Sequence, residues 1–245
     1  MQKLIELLII VTMLPAASPA IAESTDLHTQ TGSDLGISFS SYQYQEPGLM
    51  SLKGSKLGLD LHATKVQPND RFIRGDVRYA FGTVDYSSYG TGSASGDPDW
   101  YIEARFLTGG DRTINNAVLA LYTGLGYRYL FNDARGITST GHPGYRRESN
   151  YFYLPIGLIH RSSLHDGAIL VNTLEYDYLL FGKQISKLSD AGLGLSDVTN
   201  NQSKGYGLKF SILYTKDNWA IGPFAHLWYI ADSASSIWYQ NGLPV

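Results

Sequence analysis

Seven ionisable residues on three neighbouring segments fall at alternate positions. Asp60 and His62 alternate with Leu57, Leu59 and Leu61; Arg74, Asp76 and Arg78 alternate with Ile73, Val77, Tyr79 and Phe81; and Glu103 and Arg105 alternate with Trp100, Ile102, Ala104 and Phe106. Arg128, Glu175, Asp177 and Lys209 repeat the parity further along. Such a mixed-sign face could line a polar passage, perform acid–base chemistry, or neutralise itself as a salt-bridged filling, with Arg74, Asp76, Glu103 and Arg105 as one group. His226 with Glu175 and Asp177 forms a second acid–histidine grouping. The run His160-Arg161-Ser162-Ser163 offers a histidine beside serines, the start of a deacylase-like pair, but no orienting carboxylate stands at a motif spacing. No His, Cys or acidic spacing resembles a metal centre. The glycines of 90–96 have neither the spacing nor the strand-to-helix setting of a dinucleotide or nucleophile motif. The expectation is a filling, with no catalytic residue, metal or cofactor.

The elements that position these residues have a period of two, the signature of strands with unlike faces. Nine such runs are legible: 35–45, 56–64, 73–81, 99–108, 117–130, 149–159, 168–182, 204–214 and 218–230. On the fifth, Leu119, Leu121, Leu125, Tyr127 and Tyr129 oppose Ala120, Tyr122, Gly124, Gly126 and Arg128, and small residues on the second face suit a crowded interior. Pro155 and Pro223 fall inside runs and mark bulges or breaks. Loop lengths alternate: 65–70, 109–116, 161–166 and 215–217 are short, whereas 46–54, 87–98, 132–147 and 183–203 are longer or more polar. A soluble β-sandwich has no reason to sort its loops in this way, whereas a transmembrane barrel has tight turns at one end and extended loops at the other. Trp100, Tyr127, Tyr129, Tyr176, Tyr178 and Tyr206 lie near the long loops, and Tyr214 and Trp219 flank a short turn, as two interfacial girdles would.

The first 22 residues carry Lys3, an apolar run interrupted by Glu6, and Ala20-Ile21-Ala22, and they read as an export signal cut after Ala22. The run is too short for a membrane-spanning helix. Its loss removes one base and one acid, so the formal net charge of the 245-residue chain stays at -3 and offers no polybasic attraction to nucleic acid. There is no cysteine, so disulfides cannot hold the exported chain together. The expected organisation is a signal peptide over 1–22, an extended lead-in over 23–34 and a barrel domain over 35–245.

With its strand pattern over 35–230 and the segment Tyr42-Gln43-Tyr44-Gln45-Glu46-Pro47-Gly48-Leu49-Met50, the chain resembles the small outer-membrane β-barrel proteins of Gram-negative bacteria. The resemblance implies an all-β, antiparallel up-and-down transmembrane barrel in the cell outer membrane. Lipid and lipopolysaccharide would surround it, and an extracellular ligand would meet its long loops. Such barrels usually end on an aromatic strand and have an even number of strands, so about ten are expected here. The polar segment 232–245 does not supply the tenth, which leaves strands one and nine unpaired. The expected role is structural, adhesive or narrow-channel. The alternatives are an outer-membrane enzyme that hydrolyses lipid or peptide, or an exported soluble sandwich. The omptin proteases, barrels of similar size, hold Asp and His pairs at the extracellular rim, whereas His62 stands near the other end.

Overall fold

The computed structural model describes residues 2–15, 27–231, 239–241 and 243–244, with side chains for 27–231 and 241. Eight long strands follow one another: β1 (Gln2–Pro15), β2 (Gly32–Glu46), β3 (Met50–Gln67), β4 (Arg71–Ser88), β5 (Gly92–Ile114), β6 (Ala117–Asp133), β7 (Arg146–Ser163) and β8 (Ile169–Ser186). After a short 3-10 turn at Leu188–Ala191 come β9 (Val198–Gln202), β10 (Gly205–Lys216), β11 (Trp219–Gly222) and β12 (Phe224–Ile230). Every neighbour pairs antiparallel, β8 also pairs with β10, and β11 and β12 both pair with β1, so the ladder returns to its start. With β11 and β12 taken as one interrupted strand and β9 as a side ladder on β8, the ring has ten strands among the described residues. One closed sheet replaces the two sheets that a sandwich would need.

Three sequence expectations change. Strand one does not face strand nine across an open seam: Gln2–Pro15, read as the export signal, runs between β2 and β12 as the tenth strand. The cleavage position and residues 23–26 of the lead-in lie outside the described residues. The segments 46–54 and 87–98, read as long loops, are mostly strand, because the hairpins run on past their apolar bands and turn only at residues 47–49 and 89–91. The barrel strand also starts at Gly32 rather than at residue 35. Beyond Ala231, β13 (Tyr239–Gln240) and β14 (Leu243–Pro244) pair only with each other among the described residues.

Lipid-facing and inward residues separate as the parity requires. Leu57, Leu59, Leu61, Val77, Leu121, Leu125, Ile156, Leu208 and Phe210 are exposed on the outer face, with Leu119 and Leu154 half-buried beside them. The opposite face is buried: Ser38, Ser40 and Tyr42 on β2; Lys56 and Asp60 on β3; and Ala120, Tyr122 and Arg128 on β6. Aromatic contacts band the outside near the long loops, with Trp100 5.4 Å from Tyr129, Tyr127 4.7 Å from Phe152 and Tyr176 6.0 Å from Tyr206. Tyr214 and Trp219 meet at 5.4 Å beside the short turn. Pro223 splits the ninth run between β11 and β12, having no N–H for the ladder, while its carbonyl still accepts from Ile212 N–H at 3.0 Å. Pro155 stays inside β7, where the β6 ladder skips Leu154 and Pro155.

Candidate functional site

Direct cross-strand partners in an antiparallel sheet share a face and interact strongly. The registers of β3 to β6 place Asp60 opposite Arg78, Arg78 opposite Glu103, and Glu103 opposite Arg128, a row that alternates in sign across four strands. One step toward the turns, His62 faces Asp76 and Asp76 faces Arg105. Glu175 on β8 faces Lys209 on β10, which faces His226 on β12. All eleven inward residues read from the sequence therefore fall in one belt, joined by His226. The sequence placed the first seven toward the turn end, and the strand bounds keep His62 and Arg74 nearer the β3–β4 turn than the loop end. The belt is flanked by outward apolar residues, Asp60 between Leu59 and Leu61 and Glu175 between Leu174 and Tyr176, and β3, β4 and β8 run on mainly toward the loops.

Contacts within the belt cross the lumen. Arg105 donates from Nη1 to both oxygens of Glu175, at 2.7 and 2.8 Å, and from Nη2 to Asp76 Oδ2 at 2.7 Å, linking β5 to β8 on one side and to β4 on the other. Lys209 reaches from β10 to Glu103 Oε1 on β5 at 2.7 Å, with Glu175 at 3.1 Å and Asp177 at 3.5 Å. Arg128, fully buried, lies 3.5 Å from Glu103, 3.2 Å from His226 Nδ1 and 4.0 Å over the Tyr101 ring. Arg78 pairs with Asp60, and Ser38 Oγ donates to Asp60 at 3.1 Å. Arg74 donates to Asp76 at 2.6 Å, and His62 Nδ1 lies 2.7 Å from the same oxygen. Arg74 and Glu103, grouped by strand height in the sequence, are not partners: Glu103 is held by Lys209 and Arg128 instead.

Tyrosines close the gaps beside the belt, made possible by glycines on the facing strand. Gly126 on β6 faces Tyr153 on β7, Gly157 on β7 faces Tyr122 on β6, and a Cβ at either glycine would collide with the opposite ring. Tyr122 lies over β7 and donates to Glu175 Oε2 at 2.6 Å. Toward the loops the lumen is packed by Tyr42, Leu52, Val84, Tyr151, Tyr153, Leu179 and Trp228, and toward the turns by Phe72, Leu107, Ala120, Tyr122 and Ile159. Sequence reading missed these rings as filling, and it missed the buried Lys56, which pairs with Asp99 and sits 4.2 Å over Tyr42. Lys56 shares the parity of Asp60 and His62, which was the signal available.

A cavity of about 230 Å3 lies on the turn side of the belt, floored by Arg74, Arg105, Glu103 and Glu175. The lead-in crosses that mouth: Thr29 Oγ1 donates to Asp111 at 2.9 Å, and Val66 N–H donates to Thr31 Oγ1 at 3.0 Å. His160 makes no hydrogen bond to Ser162 or Ser163 among the described residues, and its cross-strand neighbours are Leu119 and Asn172. No group of three or more metal-binding side chains occurs among the described residues.

A closed ring of antiparallel strands, apolar outside and polar within, defines an up-and-down β-barrel of the outer-membrane class. Among solved structures, the chain is similar to the translocator domain of the autotransporter NalP from Neisseria meningitidis, at 12% identity and TM-score 0.50, over 93% of this chain and 87% of that one. It also matches the beta domain of the Bordetella autotransporter Brka (9% identity, TM-score 0.37, 93% and 97% covered) and a major outer membrane protein from Thermus thermophilus (11%, 0.34, 94% and 99%). At these identities, the first likeness shows the fold alone. No family model and no curated protein matches the chain.

Proposed function

We propose that the chain is an integral protein of the cell outer membrane, with Gln2–Pro15 kept as its closing strand, a lumen shut by its charged belt and a structural or adhesive role carried by its loop-end surface. The observation that supports a shut lumen is the pair of links Arg105–Glu175 and Lys209–Glu103, which join β5 to the non-adjacent strands β8 and β10 across the lumen. Each charge in the belt has an opposite charge within reach, as a filling requires; a passage needs charges left open to water. The neighbouring translocator domain suggests another use for a barrel, but passing a chain through this lumen would require the belt to part. A hydrolytic reading has less support, since His160 has no partner carboxylate among the described residues and His62 is tied to Asp76 in a neutralised group. Outer-membrane lipid and lipopolysaccharide are the partners proposed for the outer face.

Liposome swelling tests this reading. Proteoliposomes should take up a pentose no faster than protein-free liposomes; rapid uptake would mean an open pore.

A further inference from the structure

A second cavity, of about 120 Å3, lies at the loop end between the β4–β5 hairpin and the segment 134–145. Its walls are held in place. Ser139 N–H donates to the Ser93 carbonyl at 2.8 Å and Ser93 N–H to Ser139 Oγ at 3.0 Å, while Thr138 N–H donates to the His142 carbonyl at 2.9 Å and Gly144 N–H to the Gly136 carbonyl at 2.8 Å. Tyr86, on the hairpin side, is fixed through its hydroxyl to Thr91 at 2.7 Å.

Two opposite charges, Asp97 and Arg147, line this cavity, and neither forms a direct ion pair among the described residues. Asp97 is only 9% exposed, and its Oδ2 has no hydrogen-bond partner. Arg147 donates to the Tyr145 hydroxyl at 2.9 Å and approaches Met50 Sδ at 3.6 Å, both neutral, and it forms no ion pair among the described residues. Its guanidinium lies 4.9 Å from the Tyr145 ring and 5.9 Å from the Tyr86 ring. A buried carboxylate oxygen left unbonded is costly, and a guanidinium braced on aromatic rings presents its remaining donors to a carboxylate or phosphate. The belt joins its charges in direct ion pairs; Asp97 and Arg147 face the cavity without such contact.

We infer that the cavity binds a small zwitterion, its ammonium on Asp97 and its carboxylate or phosphate on Arg147, between Tyr86 and Tyr145. The rings favour a cation, and the Thr138 and His142 walls offer further polar contacts. A cavity of roughly 150 Å3 accepts a benzene ring, so this one suits a molecule of amino-acid size rather than an oligosaccharide. The inference rests on the proposed orientation only for placing the site outside the cell.

The test is calorimetric titration of the full chain folded in detergent micelles, with L-alanine and O-phosphoethanolamine as probes. Alaninamide, which lacks the carboxylate, and N-acetylalanine, which lacks the ammonium, are the controls. At least one zwitterion should bind saturably and at least ten-fold tighter than either control, and Asp97→Asn should lower that affinity by a similar factor. Preference for alanine would point to a free amino acid, and preference for phosphoethanolamine to a lipid or lipopolysaccharide headgroup. Absence of saturable binding by both probes, equal binding of the controls, or full affinity in a folded Asp97→Asn protein would overturn the inference. Should that variant not fold, the probe comparison on the unmodified protein decides alone. Swelling and titration read different parts of the molecule, so a leaky lumen with intact binding removes only the shut-lumen reading.

Discussion

Arg105 holds Glu175 and Asp76 at once, so its removal leaves two buried carboxylates short of a partner. Breaking one member of such a group costs about 3–5 kcal/mol, whereas removing charge from both sides costs much less. Arg105→Ala should therefore lower the urea midpoint of folding in lipid more than Arg105→Ala with Glu175→Ala; equal losses would mean the link carries no coupling. At the loop end, Arg146 donates to Asp190 from Nε at 2.8 Å and Nη2 at 2.7 Å, and these hydrogen bonds pull the Asp190 carboxyl down to about 2. A depressed carboxylate contributes stability that is complete above its unfolded value of about 4 and lost as pH falls toward 2. Protease cutting in 187–197 should thus stay constant from neutrality to about pH 4 and increase below it, and Asp190→Asn should reduce that pH dependence, the remainder being carried by Asp197, whose carboxyl is also held down by Ser189 and Lys187. The inward parity of Asp60, Arg78, Glu103 and Arg128 was legible because a strand's faces follow from sequence alone. The partner of each charge was not, since Lys209 meets Glu103 through closure of the ring rather than through any local spacing.

Elements were legible where alternation was strict and blurred where hairpins leave the membrane. β5 runs for 23 residues, roughly 75 Å at about 3.4 Å per residue, and only its middle shows one apolar face. On β6 the faces are unambiguous, so Leu121→Arg should destabilise folding in lipid by about 2–4 kcal/mol if its height is near the bilayer centre. A denaturation midpoint unchanged by that replacement would mean Leu121 does not face lipid. β1 is the element that sequence assigned to another task. Its twelve register partners on β2 and its pairing with β11 and β12 make it the closing strand, and cleavage after Ala22 would take it away. Unsatisfied backbone groups in lipid cost several kcal/mol each, so two bare edges are not tolerable there. Residues 23–245 alone should fail to give the heat-resistant, fast-migrating form of a folded barrel on gels, and a peptide of residues 2–15 present during refolding should restore it. Heat-resistant folding of 23–245 without the peptide would show that the slot closes in another way.

At the scale of the whole molecule, barrel closure and lumen filling depend on each other. A ten-stranded ring encloses little more than its own side chains, and the Gly126–Tyr153 and Gly157–Tyr122 pairs show how tightly β6 and β7 are fitted. Even strand count was readable in advance, and loop sorting only in part, since 46–54 and 87–98 are mostly strand; the chain end that supplies the tenth strand was not, because a largely apolar segment such as Gln2–Pro15 serves equally as a leader or as a strand. The central claim, that the belt shuts the lumen, is tested most directly by single-channel conductance in planar bilayers, comparing the parent with Lys209→Ala combined with Glu103→Ala. The account predicts no steady conductance for the parent and small, discrete openings for the double variant. A large, steady conductance in the parent that the double replacement leaves unchanged would contradict it.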